Sequence, residues 1–112
     1  MERGQIWWAD ISDSEGSGPS MRRPVVIVQA DPFNRSRLQS VIVAMMTTNL
    51  KRGAAPGNFT LTPAQSGLPR DSVVNVSQLF TVDKSVLTEL VGSLPVRHLK
   101  AFDDGLKLVL GL

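Results

Sequence analysis

Cysteine is absent from this 112-residue chain, and histidine occurs once, as His98. Without cysteine there is neither a disulfide nor thiolate chemistry, and the redox environment of the protein is unconstrained apart from being compatible with the cell interior. One histidine, together with acids that do not cluster at ligand-like spacing, argues against a metal site, so no metal and no cofactor is expected. A glycine-rich phosphate loop is also missing: Gly16-Ser17-Gly18 runs into Pro19 and then a strand-like segment, not into a helix N-terminus, which removes nucleotide hydrolysis. No nucleophilic triad can be assembled, because His98 lies beside the apolar stripe of the last helical segment. Finally, no stretch approaches the roughly 20 apolar residues of a membrane span. Met1-Glu2-Arg3-Gly4 leads directly into a strand-like segment, with no apolar leader. A soluble, cytoplasmic protein without membrane contact is the expectation.

What is present is ordinary globular composition, 42% apolar and 20% charged, enough for one core and one domain over residues 1–112. The net charge is only +2, yet the pI is about 9.5. The distribution is more informative than the sum. Arg22, Arg23, Arg35, Arg37, Lys51 and Arg52 fall between residues 22 and 52, where Asp31 is the only acid, a local excess suited to an anionic partner.

The segment Arg22-Arg23-Pro24-Val25-Val26-Ile27-Val28-Gln29 organises the rest. Its four consecutive β-branched residues predict a strand buried on both faces, with Pro24 as its first residue and Arg23 held at its mouth. Gly4 to Asp10 predicts an earlier strand, with Ile6 and Trp8 on one face and Trp7 on the other. The Ser-, Gly- and Pro-rich residues 12–21 predict a long loop between the two. Val41 to Met46 predicts a second central strand ending in Thr47-Thr48-Asn49, which would share a rim with Arg23. Residues 51–58 read as a loop, Phe59-Thr60-Leu61 as a short strand, and Gly67-Leu68-Pro69 as a turn. Ser72 to Phe80 alternates as a strand whose Asn75, Ser77 and Gln78 face outward or into a groove. Asp83 is placed as the N-cap of a short helical turn carrying Val86, Leu87 and Leu90. Pro95 opens a C-terminal amphipathic helix with Leu99, Phe102, Leu106, Val109 and Leu110 on its apolar face. Several short strands closed by one helix predict a mainly β fold with α, a small, partly open β-barrel.

One chemistry needs neither metal nor histidine: cleavage of RNA, whose own 2′-hydroxyl is the nucleophile. The protein then has to orient the strand and neutralise charge. A guanidinium bidentate to the phosphate and a hydroxyl donor do this, and Arg23 and Thr47 supply them. No general base is identified, since arginine is a poor proton acceptor.

Four stretches then match a known pattern in order: Arg3-Gly4-Gln5-Ile6-Trp7; Arg23 to Gln29; Val43-Ala44-Met45-Met46-Thr47-Thr48; and Arg70-Asp71-Ser72-Val73-Val74 with Thr81-Val82-Asp83-Lys84. Together they resemble the MazF/PemK family of toxin endoribonucleases over nearly the whole chain. The resemblance implies an SH3-like barrel with appended helices, a symmetric homodimer, and sequence-specific, metal-independent cleavage of single-stranded mRNA. It also implies inhibition by a cognate antitoxin, whose acidic disordered tail would compete for the RNA groove. The family's catalytic arginine and threonine fall on Arg23 and Thr47, and Ser17, Thr48, Asn75, Ser77 and Gln78 are the expected RNA contacts. Two features depart from the family: Gly18 stands where relatives often carry an acid, and Ser77 precedes Gln78 where some have a carboxylate. Two other functions compete with this one. One is a gyrase poison of similar fold acting through its tail, but such toxins end in Trp-Gly-Ile and this chain ends in Leu110-Gly111-Leu112. The other is a catalytically silent RNA-binding module.

Overall fold

The computed structural model describes residues 1–11 and 21–112. Six strands form one antiparallel sheet: β1 (Gln5–Ile11), β2 (Met21–Ile27), β3 (Ser40–Thr47), β4 (Phe59–Leu61), β5 (Ser72–Asp83) and β6 (Leu87–Ser93). Their order is β4-β5-β3-β2-β1-β6, so β4 and β6 are the unjoined ends of a partly open barrel, as the strand pattern predicts. Among the described residues, the short helices α1 (Asp31–Asn34) and α2 (Pro63–Ser66) lie in the β2–β3 and β4–β5 connections, and α3 (Val96–Leu110) follows β6.

Strand β2 is the axis of the molecule. Val25, Val26 and Ile27 are fully buried, and the two-residue period of the strand sends them to different cores. Val26 joins Ile6, Ala44, Met46, Val74, Phe102 and Leu106 under α3. Val25 and Ile27 join Ala9, Val41, Val43 and Met45 on the other face. Burial of each such side chain stabilises by about 1.5–3 kcal/mol. The same alternation puts Trp8 against the first core and Trp7 against the second, as expected. Pro24 is not the first residue of its strand, because β2 starts at Met21. Pro24 lies opposite Trp8, one residue before the pairing with β3 begins at Val25 and Met45. At that position there is no β3 partner for the missing N–H to serve.

The helical turn expected through Leu90 is largely a strand. Asp83 does act as a cap, accepting 2.8 Å from the Ser85 amide, but only for the 3₁₀ turn Lys84–Val86. Leu87 and Leu90 belong to β6, which pairs with β1. Local cap chemistry started a turn, and the open edge of β1 captured what followed. Three elements were not expected: α1, α2 with its reciprocal Thr62/Gln65 capping box, and the 3₁₀ turn Leu50–Ala54 in residues read as a loop. In α3 Phe102 and Leu106 are buried as predicted, but Val109 and Leu110 are 41% and 54% exposed, and the Leu110-Gly111-Leu112 tail is not core.

Two basic side chains hold the periphery. Arg3 donates from Nε to the Val28 carbonyl (2.8 Å) and from Nη1 to Asp103 Oδ1 (2.7 Å), with its guanidinium 5.5 Å from the Phe102 ring centroid. It thereby ties the end of β2 to α3. Lys84 donates to the Phe33, Asn34 and Ser36 carbonyls at 3.3, 2.9 and 3.2 Å, fastening the β5–β6 turn to α1.

The backbone amide of Arg3 donates to Asp31 Oδ1 at 2.6 Å, and this bond, outweighing partial desolvation, holds the Asp31 carboxyl below the ordinary carboxylate range. A lowered folded-state value means that ionised Asp31 contributes stability above the unfolded value and loses it as pH falls through the folded one. The stability gap between the wild type and Asp31→Ala, measured by urea unfolding, is therefore expected to narrow between pH 7 and about pH 3. A gap that stays constant across that range would mean that the charge contributes nothing.

Candidate nucleic-acid cleavage site

Arg23 and Thr47 come from neighbouring strands, and the pairing sets their relation. In the antiparallel ladder Val25 faces Met45, the last pair at that end; by the two-residue period Arg23 shares a face with Val25 and Thr47 with Met45, so both stand two residues beyond that pair on one face of the sheet. Arg23 is exposed, with Nη2 3.6 Å from Met21 Sδ. Thr47 is half-buried at the end of β3, paired on its other side with Val73 of β5. Its Oγ1 accepts from the Asn49 amide at 3.1 Å, and Asn49 Oδ1 accepts from the Lys51 amide at 3.3 Å. A hydroxyl has one donor and two acceptor positions, so this bond orients the oxygen and leaves its proton free to donate. Asn49 was not singled out from sequence, although a short amide side chain directly after the strand is a signal for such a turn.

The two adjacent arginines separate by the same alternation. Arg22 points to the opposite face, where its guanidinium sits 4.6 Å from the Trp8 ring centroid and pairs with Glu89 of β6. It is engaged in packing. Arg23 forms no ion pair with any carboxylate of the described residues.

The basic interval 22–52 is not one patch. Arg35 and Arg37 follow the end of β2, whereas Arg23 stands near its beginning. Lys51 and Arg52 follow β3 at Thr47, so only they join Arg23 at that end of the sheet. The eight residues of β3, roughly 3.3 Å apiece, separate the two groups.

Strand β5 carries the remaining predicted contacts and has an irregularity that sequence alternation did not reveal. Ala44 faces Leu79 while Met45 faces Asn75, so Val76, Ser77 and Gln78 have no partner on β3. This bulge pushes Ser77 and Gln78 into solvent at the Ala44–Met45 step of β3, two residues before Thr47. Asn75 is different: it is 6% exposed, and its Oδ1 accepts from the Ser77 amide (3.3 Å) and hydroxyl (2.8 Å). It shapes the bulge, and of the two placements expected for it, outward or into a groove, it does not take the outward one. Thr48 is exposed on the other face, lining a cavity of about 230 Å³ with Trp8, Pro24, Leu68, Pro69, Arg70 and Ser72. Ser17 lies outside the described residues. Among the described residues no group of three or more His, Asp or Glu side chains is placed to hold a metal ion, and no helix is long and apolar enough to cross a membrane.

The arrangement is thus an open strand rim offering a guanidinium, an oriented hydroxyl and a polar bulge on three adjacent strands. The chain is similar to known proteins in sequence and in fold. The family model for the "PemK-like, MazF-like toxin of type II toxin-antitoxin system" matches residues 2–110. Endoribonuclease MazF6 of Mycobacterium tuberculosis is 46% identical over 112 residues, covering 100% of this chain and 98% of that protein. Endoribonuclease MazF2 of Mycobacterium bovis shows the same identity and coverage. A solved structure of an endoribonuclease in complex with its cognate antitoxin, from a mycobacterial species, superposes with a TM-score of 0.80 at 25% identity, covering 100% of this chain and 96% of that one. With the fold, the full-length family match and these relatives in agreement, the chain belongs to the PemK-like, MazF-like toxins of type II toxin-antitoxin systems and is an endoribonuclease toxin of that family.

Proposed function

We propose that the chain, acting as a single toxin domain across residues 1–112, cleaves single-stranded RNA at chosen sequences without a metal ion. Arg23 and Thr47 are its catalytic residues. The observation that supports this reading is the register of β2 against β3, whose last pair, Val25 and Met45, has Arg23 and Thr47 each two residues beyond it at the same end of the sheet. The 2′-oxygen attacks the adjacent phosphorus, and the bond to the 5′-oxygen breaks. A 2′,3′-cyclic phosphate and a free 5′-hydroxyl result. Arg23 binds the phosphate oxygens as their charge grows, with two parallel N–H bonds, and the Thr47 hydroxyl donates to the same group. Ser77 and Gln78 on the bulge, Thr48, and Ser17 from the first loop contact the bases, which single-stranded RNA presents splayed and unstacked. Asn75 contributes by holding Ser77.

The protein works in the cytoplasm as a symmetric homodimer, in which two rims join into a longer groove. An antitoxin with an acidic, disordered tail occupies that groove and excludes RNA; the mycobacterial endoribonuclease solved with its cognate antitoxin supports such a partner. Incubation of purified protein with a mixed-sequence RNA in excess EDTA is expected to give site-specific cuts ending in 2′,3′-cyclic phosphate. Loss of cutting in EDTA and its recovery with Mg²⁺ would overturn the metal-free mechanism.

A further inference from the structure

The β5 bulge has a clamp that none of the expected site residues provides. Asn58, in the connection before β4, accepts from the Val76 amide through Oδ1 at 2.9 Å, replacing the ladder partner that Val76 lacks. Its Nδ2 donates to the Arg52 carbonyl at 2.9 Å and lies 3.4 Å from Asn75 Oδ1, the oxygen that also receives Ser77. One amide side chain therefore connects the 3₁₀ turn Leu50–Ala54, which follows Thr47, to the bulge that displays Ser77 and Gln78. Below the bulge, the buried Val76 side chain rests in a seat made by two glycines, since a Cβ at Gly57 would meet Val76 Cγ2 at 3.0 Å and one at Gly105 would meet Val76 Cγ1 at 3.2 Å. The backbone of an unpaired segment is thus held from above by Asn58 and from below by packing.

We propose that Asn58 is a positioning residue which locks the bulge in the shape that presents Ser77 and Gln78 to RNA, and so sets base selectivity beside the cut. The inference rests on the RNA-cleaving reading above. Asn58 acts through the Val76 amide and Asn75 and does not itself touch the reacting atoms. Three bonds converge on it, so truncation leaves the Val76 amide without a partner and frees the Asn75–Ser77 pair to rearrange.

The test compares Asn58→Ala with Asn34→Ala. Asn34 is buried, where Asn58 is half-buried, and donates to the Gln29 carbonyl at 2.8 Å beyond the other end of β2, so it controls for general loosening. In Asn58→Ala, hydrogen exchange at the Val76 and Ser77 amides is expected to speed up by about tenfold or more. Preference among bases flanking the cut should fall by a similar factor, while Asn34→Ala keeps the wild-type cutting pattern. Selectivity losses of Asn58→Ala and Ser77→Ala should not multiply in the double variant, because both act through one structure. Unchanged Val76 exchange, an equal loss of selectivity in Asn34→Ala, or multiplying losses would each overturn the proposal. A wild-type protein that cuts no RNA would instead refute the catalytic reading, and the exchange measurement would still decide whether Asn58 holds the bulge.

Discussion

Arg23→Ala is expected to lower the rate of RNA cleavage by about a thousandfold, the effect of removing a preorganised donor from a developing oxyanion. Stability should change by less than about 0.5 kcal/mol, since the side chain is exposed and ends in one weak sulfur contact. Arg23→Lys separates charge from shape: the point charge remains, but the planar fork that binds two oxygens at once is lost, so activity should still fall by orders of magnitude. Thr47→Ala removes the other donor and should also abolish toxicity in a growing host while leaving the fold intact. Single-turnover cleavage of a defined RNA, with thermal unfolding in parallel, makes the comparison. Near-wild-type cleavage by Arg23→Lys would reduce Arg23 to a generic electrostatic role. Loss of the fold in Arg23→Ala or Thr47→Ala would make the rim structural.

The largest effect on stability is expected at Gly105, a glycine inside α3. In an exposed helix, Gly→Ala stabilises by about 1 kcal/mol. Here a Cβ would stand 2.4 Å from the Gly57 carbonyl oxygen, a backbone atom in a turn whose glycine has φ +85°, and neither side can yield cheaply. The helix must withdraw, loosening Phe102 and Leu106 over the first core. A net loss of about 2 kcal/mol follows, lowering Tm by on the order of 10 °C. Because Val76 shares the seat, cleavage selectivity should degrade alongside stability. A Tm at or above that of the wild type in Gly105→Ala would show that the helix does not need its close approach to the 57–59 segment.

Much of this protein is legible in local pattern. A run of β-branched residues such as Val25 to Ile27 has no stable fate other than a strand buried on both sides, and that strand fixes which face each flanking residue takes. Arg23 and Thr47 could be picked out for that reason, each standing at the polar end of an apolar run. The same pattern placed the Ile6/Trp8 and Trp7 faces and the buried part of α3. It failed where the outcome depended on a distant partner. Leu87 and Leu90 carry helix-compatible spacing after a sound N-cap, but β1 offered an unpaired edge, and backbone pairing at five positions outweighed a single turn. Arg22 and Arg23 are equivalent in one dimension; only Trp8 and Glu89 on neighbouring strands make the first a packing residue. Asn75 alternates like a surface residue, yet three extra residues in β5 turn it inward and push Ser77 and Gln78 out. Asn58 and Gly105 carry no local signal for their roles, because each is defined by a contact across the chain: an acceptor for an unpaired amide, and an absent Cβ where a helix meets a turn. The sequence by itself determined five of the six strands, the first core and the two candidate catalytic groups, because side-chain shape and period act locally. Tertiary structure decided register, the bulge and which polar groups remain free, because those depend on which backbone partners a distant segment supplies.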